Sequence, residues 1–248
     1  MVSRTVKEET KSDNKKKNSE ATTKILSRIL SPEYRGPRAS FGSAQALKAI
    51  LITGSSSSSP SPNKKRASGA PSAAGGIGRG RLGAELGLGQ GEIRTLIRRM
   101  KDNGIVTVES SGCRLTELGR RLCSQFQKQI PWSGPVECGA LGLAETCWAL
   151  IIRATEAKKS LLLKRGIEQR DAALLGGASS TLTLIFRNGR FLVPGEDTDA
   201  EAHGAGGEPW QTLRQRANLR QGDVVIICGG IDLLSAEYGA LSAALTLI

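Results

Sequence analysis

Arg94, Thr95, Arg98, Arg99 and Lys101 are the residues whose types and spacing point most directly to chemistry. They are interleaved with Ile93, Leu96, Ile97 and Met100 along Gln90–Asn103. The apolar set recurs at i, i+3, i+4 and i+7, which is one face of a helix, so the cations are expected on the other faces. An outward arginine can hold a phosphate or grip a guanine edge with two parallel hydrogen bonds.

The neighbours of that helix give it a context. Gly87-Leu88-Gly89 makes a tight turn from a shorter helix, Arg79–Leu86, with Leu82 and Leu86 one turn apart. Gly104 sits where a helix C-cap glycine belongs. Ile105–Val108 alternates like a strand, Ser110-Ser111-Gly112 is a turn, and Cys113–Leu115 returns. Thr116 can cap a further helix with Leu118, Leu122 and Phe126 on its apolar face. Helix, turn, helix, β-ribbon, helix is the order of a winged helix-turn-helix, whose second helix enters the major groove of DNA. Arg114, just after the ribbon turn, is the sixth candidate DNA contact. A basic helix face alone is more often plain solvated surface. The turn before it and the ribbon after it shift the weight to DNA, with a protein-interaction module as the alternative.

The second half offers a weaker site. Asp223–Cys228 reads as a buried strand that runs into Gly229-Gly230-Ile231-Asp232 and then a helix capped by Ser235. Such a strand end facing a helix start is a common place for an anion. With Glu168, Arg170 and Asp171 from another helix, and Glu237 from the last one, Gly229, Gly230 and Asp232 are the expected lining of a site for a small anionic ligand. The competing expectation is that these side chains only form surface ion pairs and caps.

Other chemistries find little support. His203 is the sole histidine, so the usual base near neutral pH is nearly absent. No nucleophile–base pair is visible, and neither a catalytic residue nor an enzyme activity is expected. The cysteines, Cys113, Cys123, Cys138, Cys147 and Cys228, are odd in number and form no C-x-x-C, so no metal site is expected and the thiols are read as reduced. Gly78, Gly80 and Gly83 match G-x-G-x-x-G, but a Ser/Pro/Gly stretch stands where a dinucleotide fold needs a strand. No cofactor is therefore expected.

Charge and composition set the organisation. Residues 1–130 carry 24 basic and 10 acidic side chains, and residues 131–248 carry 11 and 13. A basic half joined to a nearly neutral one suggests a polyanion-binding module fused to something else. The charged N-terminus lacks a secretory apolar stretch, and the longest apolar runs are too short to span a bilayer, so a cytoplasmic location is expected. Residues 1–36 read as a basic tail, disordered but for a helical stretch at 22–30. Residues 37–130 form the winged helix, with a helix over Ser43–Ile52 and a flexible insertion at 53–76 that carries Lys64-Lys65-Arg66. Residues 131–248 read as a small α/β domain in the order β-α-β-β-α-β-α, so the fold class expected of the chain is α+β or α/β. Its strands are Ala149–Arg153, Thr181–Phe186, Arg190–Val193 and Asp223–Cys228, with Asn188-Gly189 as a hairpin turn.

The segments GIGRGRLGAELGLGQGEIRTLIRRMKDNG, CRLTELGRR, GIEQRDAALLGGA and GDVVIICGGIDLLSAEYGALSAALTL resemble an archaeal family of winged-helix proteins with a C-terminal α/β domain of unknown function. The likeness covers roughly residues 37–130 and 147–248. Such proteins are described as transcriptional regulators, and the resemblance implies a regulator that binds double-stranded DNA. Two-fold symmetric proteins match palindromic sites, so a homodimer is expected. In this account the second domain senses a ligand or dimerises. The rival expectation is a small enzyme with catalysis in that domain and a regulatory winged helix.

Overall fold

The computed structural model describes residues 24–31, 39–56, 75–137, 139–153, 166–196, 198–203 and 207–248. The N-terminal tail before them, most of the Ser/Pro-rich insertion and its Lys64-Lys65-Arg66 cluster lie outside these residues. The chain groups into two compact units. One takes in residues 1–46 and 52–122, the other 47–51 and 123–248.

The first unit opens with helix α1 (24–30), which buries Leu26 and Ile29. Helix α2 (Ser43–Ser56) runs four residues past the expected end. Thr53 is buried within it, and Ser56 Oγ donates to the carbonyl of Ile52 at 3.0 Å, so the low-complexity composition that begins at Thr53 does not end the helix there. Helix α3 (Arg79–Leu86) and helix α4 (Gln90–Asp102) follow as the pattern predicts. Gly87 between them takes φ of 60°, the left-handed conformation in which a side chain is strained.

Strands β1 (Val106–Glu109) and β2 (Gly112–Leu115) form an antiparallel ribbon. Ile77 adds a bridge to Cys113, with backbone hydrogen bonds of 2.9 and 2.8 Å. This short third pairing was not legible behind the glycines that precede it. Helix α5 (Glu117–Gln129) is capped as expected, the Gly119 N–H donating to Thr116 Oγ1 at 3.0 Å. Its buried stripe is Gly119, Leu122, Cys123 and Phe126, whereas Leu118, expected there, is exposed.

The second unit is built on one five-stranded sheet. Strand β3 (Trp132–Val136) comes first, then a short 3-10 turn (Gly139–Leu141), β4 (Thr146–Ile152) and helix α6 (Ile167–Leu175). The β5 (Ser180–Arg187) and β6 (Arg190–Leu192) hairpin follows. Then come α7 (Ala200–His203), α8 (Glu208–Arg216), β7 (Val224–Gly230) and α9 (Leu233–Leu245). The sheet order is β3-β4-β7-β5-β6, and every pairing is antiparallel.

Of the two classes expected, α+β or α/β, the second unit takes the mixed α+β form, for a specific reason. β4 and β5 run parallel and are joined through α6, but β7 inserts between them, as in a split β-α-β motif. Strand β3 is not among the strands expected from the sequence, since Pro131 precedes it and Pro135 lies within it. It lies at the sheet edge, where a proline is tolerated.

β4 and β7 are buried almost throughout, because both sheet faces are covered. Cys147, Ala149, Ile151, Val225 and Ile227 pack with Phe191, Trp210 and Leu213 on one face. The alternate positions face α6 and α9. There Ala236, Ala240, Ala243 and Ala244 let α9 lie close, and a Cβ on Gly239 would come within 2.4 Å of Ala178. Among the described residues no helix is long and apolar enough to cross a membrane.

Candidate nucleic-acid interface

Helix α4 is held by its apolar stripe, Ile93, Leu96, Ile97 and Met100, all buried against the first unit's core. α3 crosses it closely. A Cβ on Gly83 would lie 3.3 Å from the Leu88 carbonyl and 3.5 Å from Ile93. The N-terminus of α4 is fixed by Glu92, whose carboxylate accepts from the Gly89 N–H at 2.7 Å. A hydrogen bond from Ser40, then the one from Gly89, holds the Glu92 carboxyl below its ordinary range.

Three of the predicted contacts share one exposed stripe. Arg94, Arg98 and Lys101 are exposed and spaced i, i+4, i+7. Thr95 is half-buried, and its hydroxyl donates to the Gly91 carbonyl at 3.0 Å, so it is already occupied within the helix. Arg99 is a correction. It is 2% exposed, and its Nη1 donates to the carbonyls of Ile29 at 2.8 Å and Ser31 at 3.3 Å. Its guanidinium also stands 5.7 Å from the centre of the Phe41 ring. At about 100° per residue, Arg94 and Arg99 each lie about 110° from the centre of the apolar stripe, but on opposite sides. α1 covers the Arg99 side. Arg99 therefore caps the end of α1, a favourable place for a cation, and cannot reach DNA.

The ribbon turn faces the other flank of α4. Gly78, Arg79, Arg94, Ile97, Val108 and the turn residues from Glu109 to Cys113 line a cleft of about 320 Å³. Gly112 belongs there on backbone grounds. Its φ is 116°, and a Cβ would come within 2.6 Å of the Ile77 carbonyl. Arg79 was not among the predicted contacts. It is exposed at the first position of α3, and nothing in the periodicity of so short a helix marks its direction. Arg114 is drawn back toward the ribbon, 3.6 Å from Glu109, which partly neutralises it. Beside the cleft, burial raises the Cys113 thiol above its ordinary value, while Arg79 opposes that shift.

The second predicted site does not assemble. Gly229 and Gly230 are the last residues of β7, so the strand runs two residues past Cys228. Their missing side chains leave no vacant crevice. A Cβ on Gly229 would meet Ser180 Oγ at 2.5 Å and Ala144 Cβ at 2.7 Å, and one on Gly230 would meet Ser235 Oγ at 2.5 Å. Asp232 is the cap of α9, accepting from the Ser235 N–H at 2.7 Å. Glu237 pairs with Lys48 at 2.7 Å, the lysine belonging to the short stretch that groups with this unit. Arg170 and Asp171 pair with each other at 3.3 Å on the exposed side of α6, and Glu168 is exposed on the same helix. Asp232 thus serves as a cap, and Glu237, Arg170 and Asp171 take part in ion pairs. Cys113, Cys123 and Cys228 are free thiols, whereas Cys147 is disulfide-bonded, so the expectation of reduced thiols fails there. Among the described residues no cluster could hold a metal ion.

Residues 144–247, which hold β4 to α9, match the model of DUF4443, a domain of unknown function. No curated protein matches the chain. A solved structure of a hypothetical protein from the archaeon Pyrococcus horikoshii is similar, with 20% identity and a TM-score of 0.58. The match covers 82% of this chain and 91% of that one. At that identity the likeness concerns the fold alone.

Proposed function

We propose that the first unit is a winged helix-turn-helix that binds double-stranded DNA, and that the chain is a cytoplasmic transcriptional regulator. α4 is the helix that enters the major groove, and the β1–β2 turn is the wing. The supporting observation is the cleft between them, flanked by Arg79 and Arg94 and continued along α4 by Arg98 and Lys101. Cations on two elements, aimed along one open groove, suit a phosphate backbone better than scattered surface charge does.

The second unit then serves self-association. The residues expected to hold a ligand are engaged in pairing, capping and close packing. Leu175 and Ile231 are instead 91% and 90% exposed at one end of the unit, where Gly177 approaches Ser235. Large exposed apolar side chains at one end of the unit suit a contact with a second copy.

The test is a gel-shift or anisotropy titration of the full chain against duplex DNA. Replacing Arg94, Arg98 and Lys101 by alanine removes no core packing, so folding should survive while affinity falls at least tenfold. Unchanged affinity would remove α4 from the interface. Sedimentation of the chain, with and without Leu175→Ser and Ile231→Ser, tests the dimer. A monomer in both would rule that role out.

A further inference from the structure

The nearly balanced charge of the second half conceals an uneven distribution. Five of its eleven cations, Arg187, Arg190, Arg214, Arg216 and Arg220, gather at the sheet end where β5 finishes and β7 begins. Arg187 and Arg190 are register partners across the β5–β6 turn. Phe186 ties that turn to the loop before β7. Its N–H donates to the Asp223 carbonyl and its own carbonyl accepts from the Gly222 N–H, both at 2.8 Å. The Asn188 N–H adds a bond to Gln221 Oε1 at 2.9 Å, which holds the Arg220 segment beside the turn. α8 closes the group. Arg214 Nη2 donates to the Gly189 carbonyl at 3.2 Å, and Arg216 follows it in the last turn of the helix.

Carboxylates answer only part of this charge. Arg190 lies 3.9 Å from Asp199, and Arg214 Nη1 donates to Glu201 at 2.9 Å. Asp223 is buried, paired with Arg153 at 3.7 Å and bonded to the Arg220 backbone N–H at 2.8 Å. Arg187, Arg216 and Arg220 are exposed, and among the described residues no carboxylate lies within ion-pair distance of them. Like charges held together on a hairpin and a helix end repel one another, and a bound polyanion relieves that repulsion. The guanidinium fork suits phosphate oxygens. The aromatic rings nearby, Phe186 and Phe191, pack into the core, so among the described residues at this end no exposed ring offers a stacking platform for unpaired bases.

We propose that this arginine end of the second unit is a nucleic-acid surface in its own right, gripping the phosphate backbone of duplex DNA without reading its sequence. It extends DNA binding beyond the first unit, and its test separates the two surfaces. Full-length chain is titrated by anisotropy against a labelled duplex of arbitrary sequence over a range of salt. With Arg187, Arg216 and Arg220 replaced by glutamine, the Kd should rise about tenfold at about 100 mM salt, and the log–log salt slope should shrink by about 2 to 3. Replacing the same three by lysine should keep the Kd within about threefold of the original, since backbone contact needs charge more than fork geometry.

An Arg94→Gln, Arg98→Gln variant is measured in parallel. If it loses affinity while the second-unit glutamine variant binds as the original does, the inference fails and the first-unit proposal stands. If only the second-unit variant loses affinity and slope, the inference stands and the first-unit proposal fails. Equal losses in the glutamine and lysine variants would mean a structural defect and would also overturn the inference. If the triple glutamine variant melts early, the single Arg216→Gln on the exposed face of α8 carries the test, with a slope reduction of about 1 expected and none overturning the proposal.

Discussion

Arg99 Nη1 lies 2.8 Å from the carbonyl oxygen of Ile29, so an arginine of the basic helix α4 is a structural cap for the first described helix of the chain. Its guanidinium is buried, and the carbonyls it serves lose their donor if it is removed. Arg99→Ala should therefore cost about 3 kcal/mol in chemical denaturation, from an emptied volume and unsatisfied carbonyls together. Arg98→Ala, one residue away and exposed, should change stability by less than about 0.5 kcal/mol. Equal effects of the two would contradict the packing described for α4.

Glu109 and Arg114 suggest a change that strengthens binding. The carboxylate stands 3.6 Å from the arginine and lines the cleft with it nearby. A negative charge there opposes an approaching phosphate and holds Arg114 back. Glu109→Gln should raise affinity for duplex DNA by about two- to fivefold at low salt, with the gain fading as salt screens it. Stability should hardly move, because exposed pairs contribute little. Weaker binding by this variant would show that Glu109 orders the ribbon rather than repels the ligand.

Much of the first unit was legible because its periods are strong. Ile93, Leu96, Ile97 and Met100 fixed the buried face of α4, and the glycines at 87 and 104 marked its surroundings. What failed was the assumption that every position off that face meets solvent. Arg94 and Arg99 sit at equal angles from the apolar stripe, and only the folded course of α1 distinguishes them. In the second unit the strands β4, β5, β6 and β7 were readable from apolar runs and from Asn188-Gly189, both of which take positive φ. Pairing was not, since local pattern does not tell which strand inserts between two others. Gly229 and Gly230 were misread for a related reason. Their lack of side chains admits Ala144, Ser180 and Ser235, which lie far off or on other elements, and a sequence shows the glycine without its visitor. The arginine end has no signature in the sequence, because Arg187, Arg216 and Arg220 come from separate elements and carry no shared spacing.

Two glycines in the first unit should respond oppositely to alanine. At Gly119 a Cβ would stand 2.2 Å from the carbonyl oxygen of Ile105, a backbone atom that Thr116 also engages. Gly119→Ala should force α5 away from the ribbon and cost about 3 kcal/mol. Around Gly80, within α3, a Cβ meets nothing within 4 Å. Gly80→Ala should instead stabilise by about 0.5 to 1 kcal/mol, by restricting the unfolded chain. Chemical denaturation of both variants checks the pair, and a loss at Gly80 would mean that the α3 start is not as open as described.

The cap of α9 gives a pH signature. The Asp232 carboxylate accepts from the Ser235 N–H at 2.7 Å, and those hydrogen bonds with Ser235 hold its carboxyl below the ordinary aspartate value. A carboxyl whose folded pKa is depressed binds its proton less readily in the folded chain than in the unfolded one. Its contribution is therefore fully present above the unfolded pKa, and it is lost as pH falls through the folded one. Asp232→Asn keeps an oxygen acceptor but has no charge to lose. The Tm of the original chain should exceed that of the variant at neutral pH. The gap should narrow below about pH 4 and close once the carboxyl is protonated in both states. A gap that stays constant down to acid pH would mean that geometry alone, and not the ionised carboxylate at the helix start, accounts for the cap.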